Sequence, residues 1–87
     1  MKGIIEMEKE IFLRVTECIE HACEKSFESI SLKSSLIDDL EMDSLQLVML
    51  QVALEEEFDY TFNPLEDNFR DIFKTVGSVC AYFAEKM

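Results

Sequence analysis

The tripeptide Asp43-Ser44-Leu45, at the entrance to a strongly helical run, contains the side chain with the clearest potential for chemistry. Asp43 is a favoured N-cap, because its carboxylate can accept hydrogen bonds from the free backbone N–H groups of the first helical turn. Gln46 stands three residues later, where its side chain can bond back to the cap in a capping box. Ser44 is then the first residue inside the helix, exposed at the positive end of the helix dipole. An anion attached to its hydroxyl would be electrostatically favoured.

The helix that follows Ser44 is predicted to have two apolar faces. At about 100° per residue, one face forms a normal core stripe of Leu47, Leu50, Leu54 and Phe58. The roughly opposite face consists of Leu45, Met49 and Val52, with Val48 at its margin and Glu56 and Asp59 at its lower end. One apolar stripe is enough to build a core. The second therefore indicates a surface that meets partners.

These residues resemble the acyl carrier protein family, whose signature is an Asp-Ser-Leu at the head of its second helix. The resemblance continues through residues 53–58, which read Ala-Leu-Glu-Glu-Glu-Phe, and reappears at Thr75-Val76-Gly77 before a final helix. Together with the length and the helix order, it covers nearly the whole chain. Asp-Ser-Leu alone is a weak tripeptide, but it is a strong signal before this helix in a chain this short and acidic.

The resemblance implies a carrier and not an enzyme. Ser44 would bear 4′-phosphopantetheine through a phosphodiester, with Asp43 and Leu45 completing the attachment motif. The arm's terminal thiol would hold acyl intermediates as thioesters, in fatty-acid, polyketide or related specialised acyl metabolism. Because the motif contains no His or Lys to act as a base, Ser44 is a poor nucleophile on its own. It would need an external transferase, with coenzyme A as donor and that enzyme's Mg²⁺.

The implied partners are a phosphopantetheinyl transferase and acyl-transferring, condensing or ligase enzymes. They would dock on the second apolar face and on the acidic residues near its lower end. The residues of this expected docking surface are Leu45, Val48, Met49, Val52, Glu55, Glu56 and Asp59.

Three positions depart from the family pattern. The family usually has Gly two residues before the aspartate, where this chain has Glu41. If that position needs a positive φ, a non-glycine residue costs about 1–2 kcal/mol there. Gln46 and Met49 stand where acidic residues are usual. The first turns of the recognition helix are thus neutral and apolar, which favours a specialised carrier over the housekeeping carrier of fatty-acid synthesis.

Composition predicts one small domain spanning residues 1–87, and we expect a monomer. Hydrophobic residues make up 48% of the chain, which argues against intrinsic disorder. The net charge of −11 argues against nucleic-acid partners and anionic membrane surfaces. No apolar run approaches membrane-spanning length and no targeting segment is recognisable, so stable membrane insertion is not expected.

No metal site is expected from the spacing of the potential ligands. Cys18, Cys23 and Cys80 have no metal-binding spacing, and their odd number is a poor disulfide framework, so a reduced cytosol is the better setting. The acidic run that starts at Asp38 lacks the Gly and Glu that a calcium-binding EF-hand needs at its sixth and twelfth positions. A solvated acidic rim is the preferred interpretation of that run.

The predicted fold is all-α, a small four-helix bundle with three principal helices, one short helix and a long loop between helices one and two. Helical spacing of apolar residues predicts the first helix from about Ile4 to Lys25. From Ser26 to Met42 that spacing is lost and serines compete with the helix for backbone groups, which predicts an ordered loop that delivers Ser44 to the surface. Ser34 and Ser35 are interpreted as turn residues. The loop's apolar anchors are predicted to be Ile30, Leu32, Leu36, Ile37 and Leu40.

Two further helices are predicted after the second one. Asn63 as a cap and Pro64 in a first turn favour a short helix around Leu65–Ile72. Thr75 is expected to cap the last helix, Val76–Lys86, whose apolar stripe is Val76, Val79, Cys80 and Phe83. The predicted core of the bundle consists of Phe12, Val15, Ile19, Leu47, Leu50, Leu54, Phe58, Phe69, Val79 and Phe83.

A different class of function stays open at this point. The chain could be an acidic helical protein-interaction module without a prosthetic group, in which Ser44 is only a helix-start residue. Serine near a helix start is common. Intact mass after incubation with a phosphopantetheinyl transferase and coenzyme A separates this alternative from the carrier.

Overall fold

Four α-helices make up the regular structure of the part of the chain that the computed structural model describes. Its backbone covers residues 2–27, 29–63 and 68–86, with side chains described from residue 8 onward in those ranges. The helices are α1 (Lys2–Cys23), α2 (Ser44–Phe58), α3 (Phe69–Ile72) and α4 (Val76–Lys86). The predicted all-α bundle of three principal helices and one short helix is confirmed. In these ranges no helix is both long and apolar enough to cross a membrane.

Helix α1 packs against both α2 and α4. Its buried side chains are Ile11, Val15, Cys18, Ile19 and Ala22. Ile11 and Cys18 were not in the predicted core but belong to it, whereas the predicted core residue Phe12 is only half-buried. The face is wider than one stripe because α1 is covered by two helices at once. On the α2 side, the Cys18 thiol lies 3.7 Å from the carbonyl oxygen of Ala53.

Helix α2 has the predicted core stripe. Leu50 and Leu54 are fully buried, and Leu47 and Phe58 are half-buried against the core. At the far end of the helix the ring of Phe58 stacks on Phe83 of α4, with ring centroids 4.3 Å apart. The guanidinium of Arg14 lies 4.3 Å from the centre of the Phe58 ring. At this end α2 therefore contacts α1 through Arg14 and α4 through Phe83.

The short helix α3 begins later than predicted. Its N-cap is Asn68, whose side chain accepts a hydrogen bond from the N–H of Asp71, and its first residue is Phe69. Asn63 and Asn68 have the same capping chemistry, so the local sequence could not show which of them caps α3. The predicted first turn, residues 64–67, lies outside the described residues. Thr75 caps α4 as predicted, since its hydroxyl accepts from the N–H of Ser78 and its own N–H donates to the Ser78 hydroxyl.

The long loop between α1 and α2 is attached to the start of α4 by backbone hydrogen bonds. The N–H of Val76 donates to the carbonyl of Ser34, and the N–H of Leu36 donates to the carbonyl of Lys74. The N–H of Gly77 donates to the carbonyl of Leu32 at 2.8 Å. A Cβ atom at position 77 would lie 2.7 Å from that carbonyl oxygen, so the close approach requires glycine. The loop is ordered, as predicted, because α4 fixes its backbone.

Some side chains of the same loop are buried in the core of the bundle. Leu36 and Leu40 are buried, as predicted, and so is Met42, which was not among the predicted anchors. Leu32 and Ile37 were expected as anchors but are exposed, with exposed fractions of 53% and 58%. Ile30 is half-buried against the core. The last buried side chain of the loop is therefore two residues before Ser44.

An aromatic cluster joins the segment after α2 to α3 and α4. The buried ring of Phe62 lies at its centre, 5.4–5.7 Å from the neighbouring ring centroids. Those neighbours are Tyr60, Phe69, Phe73, Tyr82 and Phe83. The cluster places α3 against the rest of the bundle even though α3 is only 4 residues long.

Candidate functional site

A reciprocal capping box positions the start of α2. Asp43 has an extended backbone, and its carboxylate oxygen Oδ1 accepts from the N–H of Gln46 at 2.8 Å. In return, the Gln46 side-chain oxygen Oε1 accepts from the N–H of Asp43 at 3.1 Å. The predicted cap and capping box are both confirmed. They fix Ser44, which directly follows the cap, as the first residue of the helix.

Ser44 is exposed and its surroundings suit an attached anion. The N–H groups of Ser44 and Leu45 have no acceptor within the described part of the chain, whereas the N–H of Gln46 is bound by the cap. The two free donors and the positive end of the 15-residue helix α2 both favour negative charge beside the hydroxyl. The residues present therefore fit a phosphate ester on Ser44.

The backbone is strained at Glu41, three residues before Ser44. This residue has φ 55°, in the left-handed region that glycine adopts at no steric cost. The next residue, Met42, is buried and its N–H donates to the carbonyl of Leu36 at 3.0 Å. The left-handed turn therefore lets the chain bury Met42 and then emerge at Asp43. Position 41 does adopt a positive φ, so Glu41 carries the steric cost of about 1–2 kcal/mol that a non-glycine residue has there.

The two serines earlier in the loop have turn roles, as predicted. The hydroxyl of Ser34 accepts from the N–H of Ser31, and the hydroxyl of Ser35 accepts from the N–H of Asp38. Both are half-buried and neither stands at the start of a helix. Ser44 differs from them in exposure and in its helix-start geometry.

The second apolar face of α2 is open to solvent. The exposed fractions are 68% for Leu45, 56% for Val48, 39% for Met49 and 49% for Val52. The chain's own loop therefore does not cover this face. His21 of α1 and Glu56 of α2 border a shallow groove that Val48, Met49 and Val52 also line. Four of the expected partner residues therefore line one groove, namely Val48, Met49, Val52 and Glu56.

The acidic residues of α2 differ in how they are used. Glu56 is exposed beside the apolar face. Glu55 is half-buried, and its carboxylate accepts from the N–H of Phe62 at 2.9 Å, so it also anchors the segment after the helix. Asp59 is the exposed C-cap with φ 50°. Glu57 pairs with Arg14 of α1 at 2.8 Å. Glu56 is thus the one acid of α2 that lines the same groove as Val48, Met49 and Val52.

A second groove, between α2 and α3, opens beside Ser44. It has a volume of about 380 Å³ and is mainly apolar. Its lining consists of Ile37, Ser44, Leu47, Val48, Gln51, Phe69, Arg70 and Phe73. Sequence reasoning did not find this groove or single out Arg70, because residues of α3 reach the start of α2 only through long-range aromatic packing.

Comparison with known proteins gives concordant results. The family model described as "Phosphopantetheine attachment site" matches residues 13–83. A protein named "Acyl carrier protein" from Picosynechococcus sp. is 36% identical over 80 residues, covering 92% of this chain and 95% of the relative. One of the same name from Clostridium perfringens is 37% identical over 75 residues, covering 86% and 95%. Another, from Petrotoga mobilis, is 36% identical over 78 residues, covering 90% and 88%.

Proposed function

Because the chain belongs to the acyl carrier protein family, we propose that Ser44 is its attachment residue for 4′-phosphopantetheine. Members of this family are non-catalytic carriers, and the matched domain is the one to which phosphopantetheine is attached. The observation that carries the residue assignment is the geometry of Ser44. It is an exposed hydroxyl on the first residue of a capped helix, with two unbound backbone N–H groups beside it.

Three residues of the motif have distinct roles in this proposal. Ser44 supplies the oxygen of the phosphodiester, which forms as the pyrophosphate bond of coenzyme A breaks and adenosine 3′,5′-bisphosphate leaves. Asp43 holds the first turn of α2 in place through its bond to Gln46, so that the hydroxyl is presented at a fixed position. Leu45, exposed beside it, offers an apolar contact to the enzyme that attaches the group. The attached arm supplies a terminal thiol, which holds acyl groups as thioesters.

The proton of the Ser44 hydroxyl must be removed by the transferase. A serine hydroxyl is a weak nucleophile unless a neighbouring base activates it. Within the described ranges no side chain of this protein accepts a hydrogen bond from Ser44. The protein itself contributes the presented hydroxyl, the helix terminus suited to phosphate and the surface on which the transferase docks.

We propose that partner enzymes dock on the apolar face of α2 and the acids near it. The surface consists of Leu45, Val48, Met49 and Val52, with Glu55, Glu56 and Asp59 toward the C-terminal end of the helix. An exposed apolar patch rimmed by acids fits an enzyme surface with an apolar centre and basic residues at one edge. The proposed partners are a phosphopantetheinyl transferase and acyl-transferring, condensing or ligase enzymes.

We place this activity in a reducing compartment, the cytosol, and in fatty-acid, polyketide or related specialised acyl metabolism. All three cysteines are free thiols. Burial raises the pKa of Cys80 to about 11 and, together with Glu57, that of Cys18 to about 11. These thiols therefore stay protonated and unreactive at neutral pH. Cys18 and Cys80 would therefore not compete with the thiol of the arm for acyl groups.

Intact mass after incubation with a broad-specificity phosphopantetheinyl transferase and coenzyme A tests the attachment. The proposal expects a single added phosphopantetheine on the wild-type protein. An interaction module without a prosthetic group would keep its original mass.

A further inference from the structure

Arg70 of α3 has an unusual position for a cation in this protein. The chain has 19 acidic and 8 basic residues, and Arg70 lines the groove beside Ser44. It is the only charged side chain among the described residues that line that groove. Within the described part of the chain its guanidinium forms no ion pair or hydrogen bond, in contrast to Arg14, which pairs with Glu57.

Arg70 and Ser44 line the same groove. Its other walls are mostly apolar, with Phe69 and Phe73 on the α3 side and Leu47 on the α2 side. Arg70 is exposed, so solvent and salt partly screen its attraction for an opposite charge. A guanidinium also matches the geometry of phosphate oxygens, to which it can donate two parallel hydrogen bonds.

We propose that Arg70 is a positioning residue that binds the phosphodiester on Ser44 and holds the arm against α3. The inference rests on the proposed function, because it requires the arm to be attached at Ser44. The two unbound N–H groups at the start of α2 contact the phosphate from one side, and Arg70 contacts it from the other. The arm then leaves Ser44 along the α2–α3 groove.

Two consequences follow for the carrier. First, the arm at rest lies on the α3 side of α2, and Val48 separates it from Met49 and Val52 on the docking surface. Second, loading should order α3, whose only described packing partner among the helices is α4. A helix of 4 residues gains local stability from a contact that joins it to α2.

The experiment begins by loading four proteins, namely wild type, Arg70→Gln, Arg70→Lys and Lys74→Gln, and checking each by intact mass. Lys74→Gln is the matched control, because Lys74 is an exposed cation four residues away that does not line the groove. Loading of all four shows that Ser44 attachment is intact. Failure of wild type to load would contradict the proposed function and would be seen before Arg70 is tested.

Hydrogen exchange of the α3 amides is then compared between unloaded and loaded protein. The N–H groups of Ile72 and Phe73, bonded to the carbonyls of Asn68 and Phe69, report on this helix. Loading should slow their exchange by about tenfold in wild type and Lys74→Gln, since a hydrogen bond to a charged group contributes on this scale. The slowing should be weaker in Arg70→Lys, absent in Arg70→Gln and reduced by high salt in wild type.

The NMR signal of the Arg70 side-chain Nε–H distinguishes the phosphodiester from a carboxylate on the acyl cargo. We expect this signal to move on loading with the bare arm, before any acyl group is added. A signal that moves only with a cargo ending in a carboxylate would overturn the proposal. Equal slowing of α3 exchange in Arg70→Gln and wild type would overturn it as well.

Discussion

Asp43 and Gln46 bind each other's backbone N–H groups, with the Asp43 carboxylate 2.8 Å from the Gln46 nitrogen and the Gln46 amide oxygen 3.1 Å from the Asp43 nitrogen. The family usually has an acidic residue at position 46. In this chain the neutral amide of Gln46 accepts the hydrogen bond from the Asp43 N–H. The pair therefore preserves the presentation of Ser44 while removing a negative charge from the first turn.

Asp43→Ala should lower the free energy of unfolding by about 1 kcal/mol, because the N-cap bond to Gln46 is lost. Modification of Ser44 should also become slower, since the first turn of α2 frays. Asp43→Asn is the control, because it keeps a capping oxygen and removes the charge. Urea unfolding and a time course of intact mass measure the two effects. Unchanged stability and rate in Asp43→Ala would show that the cap does not position the site.

Glu41→Gly should stabilise the protein. A residue with a Cβ at φ 55° carries a steric cost of about 1–2 kcal/mol, whereas glycine does not. The gain is reduced because glycine has more conformational freedom in the unfolded chain, so the expected net increase is about 0.5–1 kcal/mol. Glu41→Ala is the matched control, since it removes the charge and keeps the Cβ. Equal stabilities for the Gly and Ala variants would mean that charge, and not backbone strain, distinguishes position 41.

The three long helices could be predicted because their determinants are local. Apolar spacing marked α1 and α2, and Asp43 and Thr75 have the capping geometry expected of them. The burial of Met42 and the exposure of Ile37 depend instead on the position of the loop in the tertiary structure, which the local sequence does not encode.

In the candidate site, too, some residues could be predicted from the local sequence and others could not. Ser44 and its cap follow from a short motif at a helix start, so they could be found in the sequence. Arg70 could not, because its position beside Ser44 results from the packing of Phe62, Phe69 and Phe73, which brings α3 to the side of α2. Two asparagines with equal capping chemistry also left the start of α3 undetermined.

Val52→Asp should weaken binding to a cognate enzyme by about tenfold, because burying a valine side chain contributes about 1.5 kcal/mol or more and the new carboxylate resists desolvation. Val52 is 49% exposed, so the fold should be preserved. Leu13→Asp is the matched control, since Leu13 is an exposed apolar residue of α1 outside the docking surface.

The same docking surface predicts only a gentle fall of wild-type affinity with salt. Charge pairs on the surface are screened over about 8 Å at physiological salt, whereas apolar contacts are not. Affinity measured across a salt series tests this expectation. A steep salt dependence, combined with unchanged binding by Val52→Asp, would assign recognition to Glu56 and Asp59 instead of the apolar face.

Stability should fall at alkaline pH through the buried thiol of Cys80. Burial raises its pKa from 9.0 to about 11, so between these values the folded protein keeps a proton that the unfolded chain loses. The unfolded state is then favoured as pH rises, and this stabilising contribution is complete below pH 9 and lost through about pH 11. Urea unfolding at several pH values should give a steeper decline for wild type than for Cys80→Ala. Parallel declines would show that this thiol does not titrate as described.

Site-resolved mass spectrometry of wild type and Ser44→Ala, each incubated with a transferase and coenzyme A, tests the central claim most directly. Ser34→Ala serves as the control, because Ser34 lies in a turn and not at a helix start. Wild type and Ser34→Ala should each gain one phosphopantetheine, located on the peptide that contains Ser44, and Ser44→Ala should gain none. A wild-type protein left unmodified by several transferases, or a modified Ser44→Ala, would contradict the assignment of Ser44 as the carrier residue.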